Sequence, residues 1–328
     1  MLNLIYSTRF AIFTLLDYYK YTVERNKNTE IDQKRDAILV SELRETAELL
    51  INQHLSVART WDPSDLVPWD NAVNYNPAME WNEEVYPLSD GVRSALYVNE
   101  LTEINLPYYT STLLSNAPKD HPLTDWSRIW TSEEWRHSDA MLNFIRLTGA
   151  FNPAELEKGR VAQMRSGDVP IPNSTAELIS YVIMQELATA VAHRNTAKQI
   201  PKEFGGKKML GIVAGDEMLH HKFYLELGKA ALQIDPDLMM IAFKNQYINF
   251  DMPGQSIPDF NKHALAIAEA DIYSEKHFHE EVVKPVLNAL GLLAIEGLSD
   301  EARLAQDRIA SRYNRFARRL AKQQESEI

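Results

Sequence analysis

The chain has 328 residues, 45% of them hydrophobic, and a formal net charge of −12 from 34 basic and 46 acidic side chains. That acidic balance argues against nucleic acid as a partner, and the absence of cysteine excludes disulfides, iron–sulfur clusters and thiolate catalysis. No apolar run approaches the roughly 18 residues of a transmembrane helix, while few glycines and long segments of 3.6-residue periodicity point to an all-α protein.

Residues 1–22 are rich in aromatics, and 11–16 mimic a short hydrophobic signal core. A compact basic start and a small-residue cleavage site are both missing. Residues 1–37 therefore read as a leader or arm, charged and loose over 23–38, and 38–328 as a single helical domain. A helix over 38–58 carries Leu43, Leu49, Leu50 and Leu55. Residues 60–90 combine Pro63, Pro68, Pro77 and Pro87 with Trp61, Trp69 and Trp81, more tryptophan than a flexible linker carries, so an ordered loop is expected.

The first bundle helix, 90–115, carries Glu103. Pro107 lacks the amide that would bond the Glu103 carbonyl, which predicts a kink. Thr124-Asp125 are expected to cap a second helix that runs to Thr148 and stops at Gly149. Asn152-Pro153 opens a short helix, and 166–173 form a loop. Ser174 and Glu177 make a capping box at the start of a third helix, which carries Glu186 and His193 and ends before Gly205-Gly206. A fourth helix spans 207–232, completing a bundle over about 90–232. Further helices are expected at 237–249, at 259–289 with an interruption near Lys284-Pro285, and at 299–322.

Two of these helices interrupt their apolar stripe in the same way. Trp130, Glu134, His137, Met141 and Phe144 share one face, and so do Leu210, Val213, Glu217, His220, Tyr224 and Leu227. Glu103 precedes Glu134 by 31 residues and Glu186 precedes Glu217 by the same 31, so Glu-31-Glu-x-x-His occurs twice, offset by 83. A lone buried carboxylate is costly unless it is paired or bound to metal. A single Glu-x-x-His is commonplace on an exposed helix, but two on apolar stripes, each with a glutamate at equal distance, are not. Four Glu and two His are the ligand set of a di-iron or di-manganese bundle. Four carboxylates balance two divalent cations, and oxygen and imidazole donors without thiolate suit iron or manganese. The expected ligands are Glu103, Glu134, His137, Glu186, Glu217 and His220.

Between Arg303 and Lys322 there are seven basic residues and one acid, Asp307. On an acidic protein this is a local positive patch, read either as a solvated surface helix or as a dock for an acidic partner.

The strings LTEINLP (101–107), WSRIWTSEEWRHSD (126–139), MQELATAVAHRNTAKQ (184–199) and GDEMLHHKFY (215–224), with WDPSDLVPWD (61–70) upstream, resemble the soluble acyl-acyl-carrier-protein desaturases, the stearoyl 9-desaturase type and its bacterial branch. The resemblance covers about residues 40–285. It implies a ferritin-like diiron four-helix bundle with flanking helices, and it carries the same six ligands. It also implies a role for Thr189 near the metal in handling oxygen and protons, and roles for Trp130 and Asp216 in electron entry, core packing being an equal reading of Trp130. Ser138, the Met218-Leu219 pair and Arg194 depart from the family's pattern without removing a ligand.

What the resemblance implies is O2-dependent desaturation of a fatty acyl chain carried on acyl carrier protein, giving a cis double bond. It further implies two iron ions per chain (manganese is an alternative), a ferredoxin-type donor, a homodimer and a cytoplasmic location. Thr112, Leu113 and Ser115 are expected along the acyl channel. The rivals are a hydroxylase or N-oxygenase with the same centre, an iron-storage or ferroxidase protein, and a radical-bearing reductase subunit for which Tyr224 would be the tyrosine.

Overall fold

The computed structural model describes residues 32–72, 80–82, 84 and 88–326. The aromatic-rich start and the prolines Pro77 and Pro87 lie outside the described residues. Among the described residues every regular element is helical. Residues 32–42 form α1, interrupted at Leu43 before α2 (Arg44–Val57). Two 3-10 turns, Pro63–Leu66 and Trp69–Asn71, order the loop that follows. The bundle comprises α3 (Asp90–Glu103), α5 (Pro122–Thr148), α7 (Thr175–Gln199) and α8 (Lys207–Ile234), with α4 (Leu106–Asn116) and α6 (Pro153–Ser166) between them. Beyond come α9 (Pro236–Ile248), α10 (Phe260–Glu269), α11 over 275–290, and α12 (Asp300–Ser326).

The expected kink is a complete break. α3 stops at Glu103 and α4 starts at Leu106, because Pro107 cannot donate to the Glu103 carbonyl and fits only in a first turn. α5 is capped three residues earlier than expected, at His121 rather than Thr124. Pro122 takes its first position and the His121 ring, not Thr124, accepts the Leu123 amide at 3.2 Å. Gly149, at φ 66°, ends it. The Ser174 cap forms, but Glu177 returns its bond to the Asn173 amide (3.0 Å), one residue earlier than the capping box predicts. The interruption expected near Pro285 falls instead at 270–274. α11 passes through Pro285 by widening into a π turn at Phe278–Val283, where Lys284 N–H bonds His279 O five residues back.

The segment expected to be loose is helical from residue 32. Asp36 accepts the backbone N–H groups of Thr175 and Ala176, both at 2.9 Å, and Arg35 Nε donates to Asp235 at 2.8 Å. These partners lie 139 to 200 residues away, so no local pattern announces them. Of the predicted α2 leucines, Leu43 and Leu50 are buried and Leu49 and Leu55 are exposed.

Two apolar clusters build the core. One joins α2, the first half of α5, α7, α8 and α9 around Trp126, Ile183 and Phe243. The other joins α3 and the second half of α5 around Leu96, Met141 and Phe144. α7 and α8 approach closely where Gly228 faces Ile183, since a Cβ there would stand 2.7 Å from Ile183 Cδ1. Both stripes predicted on α5 and α8 are buried throughout, and their Glu-x-x-His pairs fall between the two clusters.

Asp36→Ala removes the acceptor for two orphan amides at the start of α7. It should lower stability by about 1–2 kcal/mol, read as the midpoint of urea denaturation. An unchanged midpoint would mean that water satisfies those amides equally well.

Candidate metal centre

Helical phase sets the donors of each bundle helix: Glu103 on the last turn of α3, Glu134 and His137 on α5, Glu186 on α7, and Glu217 and His220 on α8. The fold brings all six together. Donor atoms of Glu103, Glu134, His137 and Glu217 lie within 4.8 Å of one another, as do those of Glu134, Glu186, Glu217 and His220. Glu134 and Glu217 belong to both sets. All six are buried, the most exposed being Glu103 at 7%.

The polar atoms facing this space lack partners. Glu134 Oε1, Glu186 Oε2, Glu217 Oε2 and His220 Nδ1 are buried without a hydrogen bond, although His220 Nδ1 stands only 2.9 Å from Glu134 Oε1. His137 Nδ1, by contrast, has a hydrogen-bond contact with Glu134 Oε2 (3.2 Å) and stands 3.4 Å from Glu217. Burial pushes the Glu103 and Glu186 carboxyls well above their ordinary range, and facing carboxylates push further. Protons relieve this crowding: Glu103 and Glu186 hold theirs, and although burial opposes it the facing carboxylates raise the His137 and His220 imidazoles well above their ordinary range, so cations would take the place of protons here. Inward-facing orphan carboxylates and imidazole nitrogens in two overlapping sets of four fit a pair of divalent cations.

The outward nitrogens of the two imidazoles are held by carboxylates from the opposite helix. Asp216, on α8, takes His137 Nε2 at 3.4 Å; Glu133, on α5, takes His220 Nε2 at 2.8 Å. Asp216 also accepts the indole N–H of Trp61 at 2.8 Å, and the Trp61 ring lies parallel to His137. Arg136 stacks on Trp61 and stands 3.8 and 3.9 Å from Glu133 and Asp216. Burial raises the Glu133 carboxyl, but the N–H groups of His220 and His54 outweigh it and hold that group below its ordinary range. Glu133, Trp61, Arg136 and His54 were not singled out by spacing. The one signal for Glu133 was an acid directly before each Glu-x-x-His, in EEWRH and DEMLH.

Trp130 donates its indole N–H to Glu186 Oε1 at 3.0 Å. The Thr189 hydroxyl donates to the Glu186 carbonyl at 2.9 Å and lies on the wall of a large cavity. His193 is buried, with Nε2 3.6 Å from Glu103, and burial pushes its imidazole down to about 4.

Two cavities meet at the cluster. The larger, about 640 Å³, reaches Glu103 and Thr189 between walls that include Val98, Phe250, Met252 and Phe278. The smaller, about 50 Å³, lies beyond, lined by Leu106, Tyr109, Thr112, Leu113 and Tyr224. Thr102, Glu103 and Pro253 line both. Thr112 and Leu113 are where the channel was expected. Ser115 is not: it is exposed, and its hydroxyl turns back to the Thr112 carbonyl at 2.9 Å.

A family model described as fatty acid desaturase matches residues 35–327. The candidate acyl-acyl-carrier-protein desaturase DesA1 of Mycobacterium tuberculosis is 33% identical over 285 residues, 84% of each chain. The chloroplastic stearoyl-acyl-carrier-protein 9-desaturase of Gossypium hirsutum is 28% identical over 299 residues, 85% of this chain and 75% of its own. An X-ray structure of the candidate desaturase DesA2 of M. tuberculosis shares the fold, with a TM-score of 0.62 at 22% identity over 79% of this chain and 97% of that one.

Glu100 lies one turn before Glu103. Burial pushes its carboxyl up to about 8, although Arg160 Nε stands 3.5 Å away. The folded state therefore binds this proton more tightly than the unfolded chain. The group costs stability as pH rises from about 4.3 to about 8. Glu100→Gln should gain stability relative to the parent between about pH 5 and about pH 9, measured as denaturation midpoints. A constant offset would mean that Arg160 keeps Glu100 ionised throughout.

Proposed function

The chain belongs to the fatty acid desaturase family, and we propose that it desaturates a fatty acyl chain carried on acyl carrier protein, forming a cis double bond at a diiron centre. The observation that carries this reading is two overlapping four-donor sets, both containing Glu134 and Glu217, at the junction of two cavities with largely apolar walls.

In this reading Glu103, Glu134, His137 and Glu217 hold one ion, and Glu134, Glu186, Glu217 and His220 the other. When bound, the pair supplies the O2-derived oxidising power that an unactivated C–H bond requires. The chain's own residues do the rest. Val98, Phe250, Met252 and Phe278 desolvate the acyl chain in the larger cavity. A chain continuing into the smaller one passes Thr102 and Glu103, which brings a pair of adjacent methylenes against the donor cluster. Trp130 steadies Glu186, and Asp216, tied to Trp61, steadies His137. The Trp61–Asp216–His137 contacts form a route for electron entry, and the Thr189 hydroxyl is placed to pass a proton at the cavity wall. Overall, two hydrogens leave the substrate, and O2, two electrons and two protons complete the conversion to two waters.

The carrier is an acidic partner, and α12 is its dock. Arg308, Arg315 and Arg318 are exposed on that helix, and Arg319 is paired with Glu275. Arg312, Phe316 and Leu320 of the same helix line the larger cavity, so a carrier bound there delivers its acyl chain at the cavity. A ferredoxin-type donor, a homodimer and a cytoplasmic location complete the reading and rest on the family resemblance. No helix among the described residues is long and apolar enough to cross a membrane.

Protein loaded with ferrous iron, reduced in stoichiometric amount, should remove two hydrogens from a C16 or C18 acyl carrier protein on admission of oxygen, seen by intact-mass spectrometry. Glu134→Ala, which deletes a donor common to both sets, should abolish the loss. A gain of one oxygen would instead identify a hydroxylase, and iron oxidation with no change in any acyl carrier would favour the ferroxidase rival. Reversing the charge of Arg315, Arg318 and Arg319 together should weaken carrier binding at least about tenfold at low salt and flatten its salt dependence. Unchanged affinity in a titration would remove α12 as the dock.

A further inference from the structure

The two halves of the centre are held from outside by different groups. Asp216, behind His137, is held by an indole. Glu133, behind His220, is held by a third imidazole: His54 Nε2 lies 3.0 Å from Glu133 Oε2 and 3.2 Å from Oε1. His54 comes from α2, outside the four bundle helices, and is 5% exposed. Trp126 meets its ring edge-on at 4.9 Å, and His220 stacks on it at 5.9 Å.

The hydrogen-bond inventory makes this arrangement consequential. An ionised carboxylate only accepts, so the proton of neutral His220 must sit on Nε2, where Glu133 takes it. That leaves the Nδ1 lone pair facing inward, 2.9 Å from Glu134 and 3.7 Å from Glu186 and Glu217. Glu133 Oε2 accepts from both imidazoles. Without His54 its nearest remaining cation is Arg136 at 3.8 Å, and nothing on α2 would keep the carboxylate turned toward His220. The short His54–Glu133–His220 contacts are N–H···O bonds at 2.8–3.0 Å, so His54 Nε2, Glu133 Oε2 and His220 Nε2 are already spent on one another, and of His220 only Nδ1 is left for an ion.

We propose that His54 is a positioning residue for one half of the centre: through Glu133 it fixes the tautomer and ring orientation of His220, and so the affinity of the ion held by Glu134, Glu186, Glu217 and His220. The proposal rests on the ligand reading above. It assigns no role to His54 at the His137 half.

Anaerobic titration with cobalt(II), followed by its visible absorption, separates the two halves. In a Glu103→Ala background only the His220 set is complete, and in a Glu186→Ala background only the His137 set. His54→Leu should weaken the single ion about 10- to 100-fold in the first background and leave it unchanged in the second. His54→Gln, whose amide N–H can replace the Nε2 donor, should restore most of the first. Circular dichroism and thermal denaturation establish that each variant is folded. Equal weakening in both backgrounds, no weakening in the first, or a third ion bound by the unsubstituted chain would overturn the proposal. Failure of the unsubstituted chain to bind cobalt at all would overturn the metal reading, and this inference with it.

Discussion

Four glutamates facing one another inside an apolar bundle are the constraint on which the rest of this protein depends. Burial opposes their ionisation, each neighbouring carboxylate adds to that, and the cost is relieved only by protons or by cations. The surrounding design limits it from outside. Both imidazoles point one nitrogen inward and surrender the other to a carboxylate from the opposite helix, and Arg136 stands between those two carboxylates. The crossing is reciprocal, α5 holding the histidine of α8 and α8 that of α5, and it ties the two Glu-x-x-His helices together through the site itself.

The break in the first bundle helix connects local chemistry to function. A helix ending at Glu103 exposes its last turn to space on both sides, and Thr102 and Glu103 are where the two cavities meet. The missing amide of Pro107 thus opens the wall of the bundle beside the donor cluster. On the other side, the π turn of α11 presents His279, which lies between the Tyr313 and Phe316 rings of α12 at 4.5 and 4.9 Å. That stack fixes α12 against the cavity wall, so one helix carries both exposed arginines and cavity-lining apolar groups.

Much of this was legible along the chain because helices convert spacing into direction. The i, i+3 step put Glu134 with His137 and Glu217 with His220 on apolar faces, and the repeated interval of 31 singled out Glu103 and Glu186. Family strings around those residues then carried the expected fold, and the fatty acid desaturase match agrees with it. Helix ends marked by Gly149, Asn152 and Ser174 fell where expected, since caps act within a few residues. The α5 start and the α11 interruption were misplaced, because a proline can be absorbed by a first turn or by a π turn, and neighbouring helices decide which.

The sequence by itself determined an all-helical chain, the six candidate donors and the pairing of each histidine with a glutamate on its own helix, all of them consequences of local periodicity. Tertiary structure alone decided which outer groups hold the donors. His54, Trp61 and Glu133 meet their partners across 79 to 155 residues, and Asp36 caps α7 across 139. It also decided that Ser115 faces solvent while Thr112 faces a cavity. Such contacts depend on how helices cross, which no spacing along a single chain encodes.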